Sequence, residues 1–197
     1  LVLLSETSNG SLYFVGSQWC PIPTEILKQK YLVSRLVQKH PVRGKREVSV
    51  VIGNESQAVV EWILRRLLLS NFLVTIYLND LSMATPLSKV LDSYVNRRSL
   101  HFEGLRRDFW SAYKGEGVVS GSGTFKYQCA FLQIPFVVVC RDKESEEMNS
   151  GFRERFGIKS LVVGDQNASF DNQLFRIGET GFSPKNDIEF ERLICRI

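Results

Sequence analysis

The residues best suited to chemistry form a short glycine-rich segment, Ser120-Gly121-Ser122-Gly123-Thr124, between an apolar run and a segment with helical spacing. Its two glycines let the backbone approach a ligand closely, and the hydroxyls of Ser122 and Thr124 can cap a helix or donate hydrogen bonds. The free N–H groups at a helix start, with the positive end of the helix dipole, suit a phosphate. The same composition also suits a strand-to-helix turn without a ligand, and spacing alone favours neither interpretation.

Four further residues are candidates, three at the ends of apolar runs and one within a helix. Gly53 and Asn54 follow the apolar run that begins at residue 47, and Arg141 ends the run that begins at residue 134. A guanidinium at the end of a buried strand either contacts a diphosphate or pairs with a nearby carboxylate. Gln128 lies four residues after Thr124 and therefore on the same side of a helix, where it either hydrogen-bonds a ribose or stays an exposed polar residue.

Several common active sites are not indicated. The glycine segment matches neither G-x-G-x-x-G nor G-x-x-x-x-G-K-[ST], which argues against a nicotinamide oxidoreductase and a P-loop nucleotide hydrolase. Ser122 lacks the G-x-S-x-G elbow of serine hydrolases. No pair of carboxylates stands out as acid and base, so no catalytic residue is assigned. His101, beside Phe102 on a predicted strand, is expected to be a packed residue rather than a base.

The cysteine and histidine content predicts neither a metal site nor a cofactor. The two histidines and four dispersed cysteines form no zinc-binding spacing. Cys129 and Cys140 sit inside apolar runs and are expected to be buried free thiols. Free thiols favour a reducing compartment, so we expect a cytoplasmic location.

The elements that would position the candidates alternate regularly along the chain. Apolar runs rich in Val, Ile and Leu, separated by amphipathic segments, predict right-handed βαβ units and a sheet covered on both faces. We therefore predict an α/β fold with a doubly wound, Rossmann-like parallel sheet, in which ligands bind beyond the carboxyl ends of the strands. The predicted strands are 47–53, 72–79, 99–104, 117–123, 134–141 and 159–165. The first predicted helix ends at Leu69 and has Asn54 and Ser56 as cap candidates, and the others are 85–95, 105–113, 124–133 and 145–157.

The first part of the chain departs from this alternation. Residues 11–17 predict a strand, and residues 24–39 have the spacing of a helix, after which residues 41–46 form a basic break. We divide the chain into an N-terminal strand with a linking helix, 1–45, and a Rossmann-like domain, 46–197, whose last helix is expected at 188–195. The sequence starts without Met and without the features of a signal peptide, so we expect a fragment with sequence lost upstream.

Composition limits the class of partner. The chain has 197 residues, 44% of them hydrophobic and 23% charged, which is an ordinary globular mixture. Its net charge of +4 is a mild basic excess that favours phosphate-bearing ligands or an anionic membrane surface, and nucleic acid is not expected as a partner. A membrane span is not predicted, because no apolar run reaches about 18 residues.

The stretch 121–141 resembles the donor-binding C-terminal half of the GT-B glycosyltransferases, and among them most of all the lipid-A-disaccharide synthase family. That family has an S-G-T turn, a helix ending in a carboxylate, a G-x-P step and a strand closing in Tyr-Arg. The matching positions here are Ser122-Gly123-Thr124, Gln128, Ile134-Pro135 and Cys140-Arg141. Weaker likenesses are found at 12–17 (an F-V-G strand), 50–56 (an L-P-G-S-R turn) and 160–167 (a strand with a polar loop).

The resemblance implies a ligand and an activity. The ligand would be a UDP-type sugar nucleotide, with its diphosphate at the glycine turn and its ribose near Gln128. The chain would be the nucleotide-sugar-binding half of a transferase for hexosyl groups, of the kind used in lipid A biosynthesis, with peripheral membrane association as an open alternative to a purely cytoplasmic location. Glycosyltransferases of peptidoglycan synthesis and sugar-nucleotide hydrolases of nonulosonic acid pathways share this half.

Three departures from the family pattern keep other functions open. The family's Glu is Gln128 here, the Arg of its first turn is replaced in Gly53-Asn54-Glu55, and the acceptor-binding half is absent. The chain is therefore expected to be an enzyme only if an N-terminal half completes it. The alternatives are a degenerate, non-catalytic Rossmann-like interaction domain, which Gln128 and Glu55 favour, and a sugar-nucleotide epimerase or hydrolase of the same fold.

Overall fold

In a computed structural model, the described residues form two sheets with helices around the larger one. The description covers residues 3–6, 12–15, 47–92, 99–105, 109–113, 115, 117–132, 134–150, 160–167 and 170. Strands β1 (Leu3–Glu6) and β2 (Leu12–Val15) pair antiparallel. The larger sheet contains β3 (Glu47–Val51), β4 (Leu73–Leu78), β5 (Leu100–Gly104), β6 (Gly117–Gly121), β7 (Phe136–Cys140) and β8 (Ser160–Val162). The helices are α1 (Gln57–Leu69), α2 (Ala84–Leu91), α3 (Phe109–Ala112), α4 (Phe125–Leu132) and α5 (Lys143–Met148).

All neighbouring strands of the larger sheet are parallel, and their order is β5-β4-β3-β6-β7-β8. After β3, the chain adds β4 and then β5 on one side of β3. It then crosses to the other side of β3, where β6, β7 and β8 follow in order. The strand order therefore reverses between β3 and β6, where Val51 is paired in register with Ser120. This arrangement confirms the predicted Rossmann-like α/β parallel sheet, in which such a reversal is the usual ligand crevice.

Each face of the sheet is buried under helices, which explains the nearly continuous apolar composition of the strands. On one face, β3 contributes Val48 and Val50 to a core that includes the apolar sides of α1 and α2. On the other face, Val51 and Val118 belong to a core that includes residues of α3 and α4. The successive side chains of a strand thus enter different cores, as the alternation of Cβ directions requires.

Helix starts depend on capping residues, and here one prediction was wrong. The helix predicted at 145–157 begins earlier, at Lys143, because Asp142 caps it. The Asp142 carboxylate accepts a hydrogen bond from the Ser145 N–H at 2.8 Å, and the Ser145 hydroxyl oxygen accepts one from the Asp142 N–H at 3.1 Å. This reciprocal arrangement is a capping box, which satisfies N–H groups that have no acceptor within the helix. Helix α1 begins directly after Ser56, one of its two predicted cap candidates, although the Ser56 side chain makes no capping hydrogen bond.

Some expectations about single residues are confirmed and one is wrong. Cys129 and Cys140 are free and buried, and burial raises the pKa of the Cys129 thiol well above its ordinary value. His101 is exposed rather than packed, because it lies on β5 at the edge of the described sheet, where alternate side chains face outward. No helix within the described ranges is long and apolar enough to cross a membrane.

In the N-terminal part, one strand was predicted and one was not, and the other predictions are not tested. Strand β2 lies within the predicted 11–17, whereas its partner β1 was not predicted. The predicted helices 24–39 and 188–195 lie outside the described residues. The division at residue 45 therefore stays a prediction.

Candidate functional site

The topological switch point brings the predicted site segments together. Gly53 and Asn54 leave β3, and residues 121–124 leave β6, which is hydrogen-bonded to β3 in parallel. Arg141 leaves β7, the next strand along. Since carboxyl ends of parallel strands meet at one edge, the three segments line the same edge of the sheet, as the sequence predicted.

Glycine is favoured at two of these positions for different reasons. Gly53 has a φ of +68°, in the left-handed region that favours glycine, and a Cβ there would meet open space. Gly121 is buried at the end of β6, and a Cβ there would lie 3.2 Å from the backbone oxygen of Ile52. The missing side chain thus lets the end of β6 approach the backbone that leaves β3. At Gly123, which is exposed, a Cβ would meet no atom within 4 Å.

The turn after β6 leads directly into α4 with its polar groups accessible. Ser122 is half-buried, and Gly123 and Thr124 are exposed. The carbonyl oxygen of Thr124 accepts a hydrogen bond from the N–H of Tyr127 at 3.1 Å, which closes the first turn. The N–H groups that precede this turn have no acceptor within the helix and carry the positive end of its dipole. A helix start of this kind is the type of place where proteins commonly bind anions.

A buried lysine that the sequence analysis did not single out contacts this turn. Lys126 is 5% exposed, and its Nζ donates a hydrogen bond to the backbone oxygen of Ser122 at 2.7 Å. It also donates to Oδ1 of Asn149, which follows α5 and is 5% exposed. The signal in the sequence was a lysine in the first turn of a helix, where a positive charge opposes the helix dipole.

Arg141 pairs with its neighbour. Its Nε lies 3.0 Å from Oδ2 of Asp142, and the arginine side chain is 66% exposed. The hydrogen bond to Asp142 raises the pKa of Arg141, and the charges of Asp142 and Glu55 raise it further. Hydrogen bonds from Ser145, followed by the one from Arg141, lower the pKa of Asp142 to about 2. The pairing with a carboxylate that the sequence left open is present, and the contact to a diphosphate stays a prediction.

Gln128 makes a contact with the neighbouring helix. Its Oε1 accepts a hydrogen bond from Nε1 of Trp110 on α3 at 3.0 Å. Trp110 in turn stacks on Phe125, with ring centroids 5.0 Å apart and planes 10° apart. Gln128 is therefore a half-buried residue that satisfies a buried indole, rather than a merely exposed polar side chain. Its role toward a ribose stays a prediction.

The end of β4 adds polar groups beside Asn54. Asn79 donates a hydrogen bond from Nδ2 to Oδ1 of Asn54 at 2.7 Å, which links the loops after β4 and β3. Asp80 accepts hydrogen bonds from the N–H and the hydroxyl of Ser82, and these bonds lower the pKa of its carboxyl. The edge thus carries amide and carboxylate groups next to the glycine segments.

The described residues contain no group of three or more His, Cys, Asp or Glu side chains that could hold a metal ion. No protein-family model matches the chain, and neither a curated protein nor a solved structure matches it.

Proposed function

We propose that the chain binds a nucleotide-diphosphate sugar of the UDP type at the switch point, and that it is the donor-binding half of a GT-B glycosyltransferase. The observation that carries this proposal is the convergence of Gly53, Gly121 and Gly123 at the point where the strand order reverses. Ligands of doubly wound sheets bind at this point. At Gly53 and Gly123 a Cβ would extend into open space, so glycine at these two positions leaves that space free, while Gly121 lets β6 approach β3 closely. The likeness of residues 121–141 to the lipid-A-disaccharide synthase family supplies the class of ligand.

The proposed mechanism assigns binding and charge stabilisation to this chain. The diphosphate lies against the N–H groups of the turn that opens α4, and the helix dipole favours its negative charge. In the complete enzyme, breakage of the bond between sugar and diphosphate places developing charge on the leaving diphosphate. Fixed amides offset that charge without reorganisation, and Arg141 adds a mobile cation. A general base, which activates the acceptor, belongs to the half that binds the acceptor.

A thermal shift experiment tests the proposal directly. A ligand that binds only the folded chain, present at about 100 times its dissociation constant, stabilises it by about 2.7 kcal/mol. For a chain of 197 residues this corresponds to a rise in Tm of roughly 5–10 °C. We expect such a rise with UDP or a UDP-sugar, and a smaller one with pyrophosphate. No shift with any nucleotide or nucleotide sugar would contradict the proposal.

A pair of leucine variants locates the bound ligand. Gly123→Leu places a side chain over the turn in open space, so the fold is expected to tolerate it while the ligand-induced shift is lost. Ser88→Leu, an exposed position on α2, adds the same apolar side chain away from the sheet edge and is expected to retain the shift. An unchanged shift in Gly123→Leu would place the ligand elsewhere.

A second candidate is a non-catalytic interaction domain that has kept the fold without the ligand. Its support is that two of the predicted ligand groups are engaged within the chain: Arg141 with Asp142, and Gln128 with Trp110. Such a domain binds a protein partner and gives no shift with nucleotides, pyrophosphate or nucleotide sugars. The same titration therefore separates the two candidates.

A further inference from the structure

A buried cation lies on the inner side of the glycine turn. Lys126 is 5% exposed in the first turn of α4, where its charge opposes the helix dipole. Burial of a lysine also requires hydrogen-bond acceptors for its ammonium group. Its Nζ donates to the backbone oxygen of Ser122 at 2.7 Å and to Oδ1 of Asn149. A lysine at this position does not stabilise α4 itself, because its charge opposes the helix dipole. We therefore look for the role of Lys126 in its contact with the turn.

The contact fixes the orientation of one peptide group. In a trans peptide the carbonyl and the following N–H point in opposite directions. Because the Ser122 oxygen points at the buried ammonium, the N–H of Gly123 points away from it, toward the exposed side of the turn. A hydrogen bond at the carbonyl also polarises the peptide and strengthens its N–H as a donor. The reverse orientation would present an oxygen to the ligand and repel an anion.

Asn149 holds the lysine and connects it to the neighbouring loop. Its Nδ2 donates to the backbone oxygen of Ser145 at 2.5 Å, so both ends of the amide are used. Ser145 is the residue that completes the capping box with Asp142, next to Arg141. The pair of Lys126 and Asn149 thus links the turn after β6 to the loop after β7, which carry the proposed ligand groups.

We infer that Lys126 is a positioning residue: with Asn149 it holds the Ser122–Gly123 peptide so that the Gly123 N–H serves a phosphate or diphosphate oxygen. The ligand in this inference rests on the proposed function. The orientation of the peptide is a property of the ligand-free chain and can be measured without a ligand.

The experiment uses NMR on the full chain labelled with ¹⁵N and ¹³C. In the wild type we expect a scalar coupling across the hydrogen bond between the Lys126 ammonium nitrogen and the carbonyl carbon of Ser122. Lys126→Met is expected to shift the Gly123 amide resonance and to weaken pyrophosphate binding about tenfold or more. Lys126→Arg, which keeps the charge and the donors, restores both toward wild type. Lys89→Met removes the same charge from an exposed position on α2 and changes neither.

Three outcomes overturn the inference: the coupling is absent in the wild type, the Gly123 amide is unchanged in Lys126→Met, or that variant keeps wild-type affinity for pyrophosphate. If the wild type binds neither pyrophosphate nor UDP, the proposed function fails, while the coupling and the amide shift still decide the positioning role. If Lys126→Met does not fold, the coupling in the wild type decides it.

Discussion

Replacement of Gly121 by alanine tests how closely β6 approaches β3 at the switch point. The added Cβ would lie 3.2 Å from the carbonyl oxygen of Ile52 and 3.5 Å from its Cα. These are backbone atoms at the exit of a buried strand, so they cannot turn aside as the end of a side chain could. Overpacking of this kind destabilises the folded state by about 1–3 kcal/mol. We expect the lower half of this range, because the overlap is only a few tenths of an ångström.

A second alanine provides the matched control. An alanine in place of glycine lowers the entropy of the unfolded chain, which by itself stabilises the fold by about 0.4–1 kcal/mol. Gly123→Ala gains this contribution without a new contact, since its Cβ would have no neighbour within 4 Å. The contribution is shared by both variants. The difference between them therefore isolates the contact with Ile52.

Equilibrium unfolding in urea measures both variants against the wild type. We expect Gly121→Ala to be less stable than Gly123→Ala by about 1–2 kcal/mol with unchanged m values. A Gly121→Ala variant as stable as Gly123→Ala would refute the reasoning, since it would mean that the end of β6 does not need a glycine to approach β3.

Variants at three further positions probe single features of the edge. Gly53→Ala meets open space at a φ of +68°, so its effect is backbone strain of about 1–2 kcal/mol, and Gly53→Asn should be less destabilising in the same urea experiment. In the folded state, hydrogen bonds from Ser145 and Arg141 lower the pKa of Asp142 from 3.8 to about 2. The stability that these bonds contribute is therefore fully present above pH 3.8 and is lost as the pH falls toward 2. Asp142→Asn should therefore remove this part of the pH dependence, measured as the free energy of unfolding from about pH 5 to about pH 2, and an unchanged dependence would contradict the assignment. Gln128→Leu leaves the indole N–H of Trp110 without its acceptor and should destabilise the fold by about 1–3 kcal/mol, whereas Gln128→Glu keeps an acceptor and should melt near the wild-type temperature.

The sequence predicts the fold class correctly because each strand and helix is marked by residues close together in the chain. A buried parallel strand needs apolar side chains on both faces, and the runs at β3, β6 and β7 therefore stand out without any knowledge of their neighbours. Helix spacing between them then fixes the class of fold. The positions of Gly53 and Gly121–Thr124 at one edge follow from that class alone, since parallel strands share the direction of their carboxyl ends.

The internal contacts of the site were not readable, because they join residues distant in the chain. Lys126 meets Asn149 across 23 residues, and Gln128 meets Trp110 across 18. Which side chains meet depends on how α4 packs against α5 and α3, and periodicity does not specify it. The start of α5 was predicted wrongly for a different reason. In the sequence Asp142 stands out as a carboxylate next to Arg141, but an Asp with Ser three residues later is also a local capping signal.

This edge of the sheet carries both positive and negative groups, and they differ in how firmly the protein holds them in place. The N–H groups of the turn are held by the backbone, and the Lys126 ammonium is buried against the Ser122 carbonyl. Asp142 is also fixed: its Oδ1 accepts a hydrogen bond from the Ser145 N–H as the cap of α5, while its Oδ2 pairs with Arg141. The pair with Arg141 is exposed, so it is weak and screened by salt. In the proposed complex, Arg141 turns from Asp142 to the diphosphate, and the cap of α5 is kept because Ser145 still bonds the Asp142 carboxylate.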